Sequence, residues 1–175
     1  MNYFELFNLS TDFQLDLARL SQTYQTLQQL THPDKFATGS EREKLLAVQK
    51  NSQVNDAFHT LKSPLLRAEY LLELRGIELK HEHQTMQDPM FLMQQMEWRE
   101  RLELIAPNED SLDELEELDK EIQQHYQSQL GLLQSLLADN NEQANLSAAN
   151  EVRKLKFLHK LRNEIALKED LLSEV

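Results

Sequence analysis

The chain of 175 residues has room for one ordinary domain or two small ones, and with only 3 Gly and 4 Pro it holds too little turn material for a sheet protein. It contains no cysteine, which excludes disulfides, thiolate zinc sites, a thiol nucleophile and any cluster held by cysteine. The formal charge of -12 argues against DNA, RNA and anionic lipid as partners, since each demands a basic surface. The charge is also uneven: residues 1–75 carry 8 Lys/Arg against 9 Asp/Glu, and residues 76–175 carry 10 against 21. The opening Met1-Asn2-Tyr3-Phe4-Glu5 lacks a basic and apolar leader, and nowhere do about 18 apolar residues run together, so a soluble cytoplasmic chain with no membrane span is expected.

Leu, Gln, Glu, Lys and Ala dominate, and their spacing predicts an all-α fold. Tyr3, Phe4 and Phe7 suggest a short first helix. After Ser10-Thr11-Asp12 a second helix begins near Asp16, with the stripe Leu17, Leu20, Tyr24, Leu27 and Leu30, and it stops at Thr31-His32-Pro33 because proline disfavours the α region before it. A loop runs through Gly39. Ser40 with Glu43 reads as a capping box for a third helix over 41–62, expected to bury Leu45, Val48, Val54, Phe58 and Leu61. Ser63-Pro64 caps a fourth helix that ends at Gly76.

Residues 76–87 lack a sustained period and read as a linker, which divides the chain into 1–75 and 88–175. His81-Glu82-His83 within it lacks the i, i+4 spacing that would put two imidazoles on one helix face, so no metal site is expected. Asp88-Pro89 opens a helix to about Ile105, before Pro107. Ser111 with Glu114 starts the next, striped by Leu112, Leu115, Leu118, Ile122, Tyr126, Leu130, Leu133 and Leu137. Its first turns, 109–121, hold eight acids and one lysine without a calcium-loop glycine, and read as a solvated helix start. Asp139-Asn140-Asn141 breaks that helix, and a last one carries Val152, Leu155, Leu158, Leu161, Ile165 and Leu172. Three helices with short connections suggest an antiparallel three-helix bundle.

Two constellations stand out. His32-Pro33-Asp34 lies where one long helix gives way to a loop; the tripeptide alone is a weak signal that reads more simply as a helix-stopping turn, and as a catalytic pair His32/Asp34 lacks a nucleophile, a phosphate loop or a cofactor motif beside it. On the helix opened by Asp88-Pro89, Phe91, Trp98, Leu102 and Ile105 form one apolar stripe at 100° per residue, whereas Leu92, Met93 and Met96 lie on another face beside Glu97 and Glu100. Both faces could be buried in a bundle, or the second could be an adaptable partner-binding patch with an acidic rim. Phe157 lies roughly 90° off the stripe of its own helix, which favours the patch.

The surroundings of the tripeptide resemble a J-domain. His32-Pro33-Asp34-Lys35-Phe36 is followed by Val54-Asn55-Asp56-Ala57-Phe58-His59-Thr60-Leu61-Lys62-Ser63-Pro64, close to that family's helix-three pattern. Tyr3-Phe4-x-Leu6-Phe7, Pro33-Asp34-Lys35-Phe36-Ala37-x-Gly39-Ser40, Arg67-Ala68-Glu69-Tyr70-Leu71-Leu72, Phe91-Leu92-Met93 and Val152-Arg153-Lys154-Leu155-Lys156-Phe157-Leu158 are similar to the HscB family of J-domain co-chaperones, over essentially the whole chain. The resemblance implies an N-terminal J-domain, a helical hairpin with a His-Pro-Asp loop, joined to a C-terminal three-helix bundle. It implies no enzyme activity and no cofactor of its own. His32, Pro33, Asp34 and Lys35 would meet the DnaK-class chaperone HscA and stimulate its ATP hydrolysis; Leu92, Met93, Met96, Glu97, Glu100 and Phe157 would bind the iron–sulfur scaffold IscU. One departure is that the exposed positions of helix two are expected to be Gln22, Thr23, Gln25, Thr26, Gln28 and Gln29 where related J-domains are basic, with only Arg19 and Lys35 nearby, which implies weaker electrostatic steering. A helical or coiled-coil scaffold without chaperone-stimulating activity is the rival reading, resting on the acidic, Leu-rich 112–137 helix; the stripes break at caps every 15–30 residues, and heptads do not persist.

Overall fold

The computed structural model describes residues 1–79 and 88–174, and they are helical with no strand among them. No described helix is long and apolar enough to cross a membrane. The chain divides into two compact units, Met1–Gly76 and Ile77–Val175. The expected linker over 76–87, with its His81-Glu82-His83, lies from residue 80 onward outside the described residues.

The first unit holds α1 (Tyr3–Leu6), α2 (Leu17–Thr31), a 3-10 turn (Pro33–Phe36), α3 (Glu41–Lys62) and α4 (Pro64–Leu74). Each helix starts on a side chain that accepts one of the N–H groups left over in its first turn. Asn2 accepts from Glu5, Asp16 from Arg19, Ser40 from Glu43 and Ser63 from Leu66, at 2.9 to 3.3 Å. Gly76 ends α4 at φ +84°, a backbone state open to glycine at no steric cost. Phe4, Phe7, Phe13, Leu20, Val54, Ala57, Leu61, Ala68, Leu71 and Leu72 form the core.

α2 and α3 run antiparallel, and what joins them towards the loop is largely polar. Tyr24 stacks on Phe58 with ring centroids 3.9 Å apart, and its hydroxyl donates to Asn55 Oδ1 at 2.7 Å. Gln28 Nε2 donates to the Tyr24 hydroxyl and to Asn55 Oδ1, and Asn51 Nδ2 donates to Gln28 Oε1 at 3.1 Å and to Thr31 Oγ1 at 3.3 Å. Arg67, buried at 7 % exposure, donates to the Leu61 carbonyl at 2.7 Å and lies over the Phe13 ring, so it satisfies an orphan carbonyl at the end of α3. Tyr70 accepts from the Tyr3 amide and stacks on that ring, fastening α1 to α4.

Several core expectations fail. Leu45 and Val48 are more than half exposed, because they lie over about 130° round α3 from the face carrying Ala47, Val54, Ala57 and Leu61. Leu30 is exposed because it points about 100° away from the Leu20–Tyr24–Thr31 face of α2, and Leu17 because it is the helix's first residue. Thr23 and Gln28, expected in solvent, are half-buried, Gln28 within the polar network.

The second unit contains α5 (Pro89–Leu104), α6 (Ser111–Asp139) and α7 (Glu142–Ser173). α6 and α7 form a long antiparallel hairpin, turned by Asn140 in the left-handed conformation at φ +40° and restarted by Asn141, whose side chain accepts from Ala144 N–H at 2.8 Å. α5 packs against both, parallel to α7. Its stripe Phe91, Trp98, Leu102 and Ile105 is buried with Leu115, Leu118, Ile122, Leu158, Leu161 and Ile165. α6 starts at Ser111 as expected, but Ser111 does not cap it with Glu114: it is the first helical residue, its hydroxyl donates to the Asn108 carbonyl at 2.9 Å, and Asp110 precedes it without a side-chain cap. Leu112 is exposed in that first turn. Nor is the acidic run wholly solvated. Asp119 takes a two-point bond from Arg162, and Glu121 accepts from Arg101 and, at 3.5 Å, from Trp98 Nε1.

Asp88 closes α5 onto α7. Its Oδ1 accepts from Phe91 N–H at 3.1 Å and its Oδ2 lies 2.8 Å from Lys154 Nζ, which also reaches Glu151 at 3.3 Å. The Lys154 and Phe91 bonds hold the Asp88 carboxyl below the ordinary carboxylate range. Burial works to lower Lys154, but the bonds to Asp88 and Glu151 outweigh it and leave that ammonium raised.

Two outcomes follow from this packing. Trp98→Ala, which empties a site at 0 % exposure, is expected to destabilise the second unit by about 3 to 5 kcal/mol in denaturant melts followed by circular dichroism. A depressed carboxyl contributes stability above its unfolded-state pKa of about 4 and loses it as pH falls through the folded-state value. Asp88→Asn retains a capping side chain and removes the charge. Trp98, the only tryptophan, is therefore expected to report a melting-temperature gap between wild type and Asp88→Asn at pH 7 that closes below about pH 4; a gap that persists in acid would refute the pairing.

Candidate functional site

Two surfaces collect the residues singled out from the sequence, one on each unit. On the first, His32 leaves α2 at φ -61°, ψ 130°, the extended state that the following proline requires, and Pro33 opens the 3-10 turn. His32 Nδ1 accepts from the Asp34 N–H at 3.2 Å, and the Lys35 N–H reaches the His32 carbonyl at 3.1 Å. Since Nδ1 is an acceptor there, the neutral ring carries its proton on Nε2. The Asp34 carboxylate is 93 % exposed with Oδ2 3.5 Å from that same Nδ1. Two acceptors make no bond, so the ring fixes the turn through the amide and leaves the carboxylate's lone pairs to an incoming donor. Lys35 is exposed beside it, and Gln28, Gln29, His32, Asp34 and Lys35 line an open hollow of about 360 Å³.

Gly39 lets the loop return into α3: a Cβ there would lie 2.5 Å from Glu43 Oε2 and 3.2 Å from the Phe36 carbonyl. The outward side of α2 carries Gln22, Gln25, Thr26 and Gln29, with Arg19 a further exposed cation. Missed from the sequence was the network of Tyr24, Gln28, Thr31, Asn51 and Asn55 that holds the two helices beneath this loop. Its signal was available in spacing: positions 24, 28 and 31 share one face of α2, and 51 and 55 share one face of α3.

On the second unit, the two apolar faces of α5 differ in burial. Phe91, Trp98, Leu102 and Ile105 are buried, whereas Leu92 is 38 %, Met93 69 % and Met96 73 % exposed, with Glu97 and Glu100 in solvent beside them. Leu104, strongly exposed on the same arc, lengthens this face at its C-terminal end, and Met90 in the first turn is also strongly exposed; neither was singled out. Phe157 lies on α7, half-buried; it meets α5 through a T-shaped contact with Phe91, centroids 6.0 Å apart, and through Arg99, whose guanidinium sits 5.4 Å over its ring. Arg99 in turn makes a two-point bond to Glu164 at 2.6 and 3.3 Å. An apolar, Met-containing arc with an acidic border and a half-exposed aromatic alongside can bind a protein surface of matching apolar and basic character. Among the described residues no three His, Asp or Glu side chains are grouped as around a metal ion.

A family model described as the HSCB C-terminal oligomerisation domain matches residues 87–166. Over 174 residues the chain is 58 % identical to a co-chaperone protein HscB homolog of Pseudoalteromonas atlantica, covering 99 % of each, and over 172 residues it is 53 % identical to the homolog of Vibrio atlanticus, covering 98 % of this chain and 99 % of the other. Among solved structures, chaperone HscB from Vibrio cholerae superposes with a TM-score of 0.87 at 49 % identity, over 98 % of this chain and 99 % of that one. Human co-chaperone protein HscB does so with a TM-score of 0.87 at 30 % identity, over 96 % of this chain and 82 % of its own. Whole-length identity at this level, with a J-like unit of capped helices followed by a helical bundle, places the chain in the HscB family of co-chaperones.

Proposed function

We propose that this co-chaperone is a cytoplasmic adaptor of iron–sulfur cluster assembly, in which residues 1–75 act as a J-domain on the DnaK-class chaperone HscA and residues 88–175 hold the scaffold IscU. What carries the reading is that each unit leaves one chemically distinct surface outside its core: the Asp34 carboxylate at 93 % exposure and the Met93/Met96 face at 69 and 73 %.

In the first step IscU docks on Leu92, Met93, Met96, Glu97, Glu100 and Phe157. The methionines adapt to the apolar part of the scaffold, and the two carboxylates select basic groups at its margin. The His-Pro-Asp loop then meets the chaperone. Asp34 accepts charge-assisted hydrogen bonds from a chaperone arginine, Pro33 fixes the turn, His32 orients it through the Asp34 amide, and Lys35 supplies a neighbouring cation. Because the loop is already ordered, little conformational entropy is lost on docking. Binding the hydrolysing conformation of the chaperone better than the resting one shifts it toward ATP hydrolysis. Holding both partners at once raises the local concentration of IscU at the moment the chaperone closes. No bond is made or broken on this chain, and the cycle uses no cofactor of its own.

Asp34→Asn is expected to cut HscA stimulation by about tenfold or more, measured as ATPase rate with IscU present, with IscU affinity unchanged; full stimulation by the variant would sink the loop assignment. Glu97→Lys with Glu100→Lys, and separately Phe157→Ala, are expected to weaken IscU binding in calorimetry by about tenfold, while stimulation of HscA without IscU stays at the wild-type level. Undiminished IscU affinity in both would remove the patch from this reading.

A further inference from the structure

We propose that Arg99, outside the set that meets the scaffold, is a positioning residue that sets the orientation of the Phe157 ring and so pre-shapes the client-binding surface. The inference rests on the reading above that Phe157 belongs to the IscU surface. Phe157 projects from α7 off the core stripe and is only half-buried, packed against the margin of the core, so the core alone contacts only part of its ring. Two α5 residues restrict it. Phe91 meets it in a T-shaped contact with 83° between the ring planes, and the Arg99 guanidinium lies over the Phe157 ring, 5.4 Å from the centroid.

The guanidinium is itself held in plane by its two bonds to Glu164, seven residues and therefore about 20° from Phe157 on the same face of α7. On α5, Arg99 stands seven residues below Leu92 and on the same line, so it joins the apolar patch to the aromatic on the neighbouring helix. A Lys could not supply this, since a point charge lacks the planar fork that lies flat on a ring while gripping a carboxylate. Arg99 thus lowers the ordering that Phe157 must undergo when the client arrives.

The test is a double-mutant cycle on the full chain, with IscU affinity measured by calorimetry for wild type, Arg99→Ala, Phe157→Ala and the pair, each below its own melting temperature. Arg99→Ala is expected to weaken binding about threefold to tenfold, to shift the Phe157 ring resonances in NMR spectra of the free protein, and to add nothing in the Phe157→Ala background. Glu164→Gln, which leaves the cation but loosens its fork, should give a smaller loss of the same kind. If Phe157→Ala binds IscU as wild type does, the patch reading fails and this inference with it. If Phe157→Ala weakens binding but Arg99→Ala does not, the positioning role alone is overturned. Equal losses from Arg99→Ala in both backgrounds would make Arg99 a direct contact, which also overturns it.

Discussion

Both units are built on an antiparallel pair of helices, α2 with α3 and α6 with α7, and each of the two exposed surfaces belongs to something laid against or strung between such a pair. In proteins most helical stability comes from packing an amphipathic face rather than from propensity; pairing two helices buries one stripe of each and leaves the opposite faces free. The loop between α2 and α3 is then the place where chain direction must reverse, and the outer side of α5 is the part of a third helix that the α6–α7 pair leaves uncovered. The surfaces are by-products of pairing that the sequence has filled with specific chemistry.

The two pairs use different glue. Between α6, α7 and α5 the interior is apolar, from Phe91 and Trp98 to Leu161 and Ile165, with ion pairs such as Arg162–Asp119 and Arg101–Glu121 at its margins. Towards the loop end of α2 and α3 the contact is instead a set of amides and hydroxyls around Tyr24, Gln28, Asn51 and Asn55. Directional bonds of this kind fix register more sharply than interchangeable aliphatic contacts do. That suits a hairpin whose tip must hold one carboxylate at a set place. It also explains why the glutamine-rich α2 is not simply a J-domain helix stripped of its charges: Gln28 is spent on the hairpin, while Gln22, Gln25 and Gln29 face outward.

The exposed face of α5 obeys another logic. Met93 and Met96 are flexible and exposed, but they sit on a helix whose opposite face is anchored by Trp98 at full burial and whose start is tied to α7 by Asp88 and Lys154. Adaptable side chains on a rigid backbone lose little on binding while tolerating variation in the partner. The seam of Lys154, Phe91, Phe157, Arg99 and Glu164 continues that anchoring toward the aromatic on α7.

Helix starts and stops were legible in the sequence because they depend on nearest neighbours: a Ser, Asp or Asn three residues before the N–H it accepts, a proline that bars the helix before it, a glycine or asparagine that tolerates positive φ. So were the His-Pro-Asp loop, the family and the buried stripe of α5, whose period is a property of one helix. What spacing could not settle was which of two apolar faces meets a neighbour. Leu45, Val48 and Leu30 are as apolar as Val54 and Leu20, yet lie outside, and Met93 and Met96 are exposed where a bundle could have buried them. The pull of Asp119 and Glu121 out of an acidic run toward Arg162 and Arg101 is of the same kind. Burial and pairing are relations between helices far apart in the chain, and only the tertiary packing decides them.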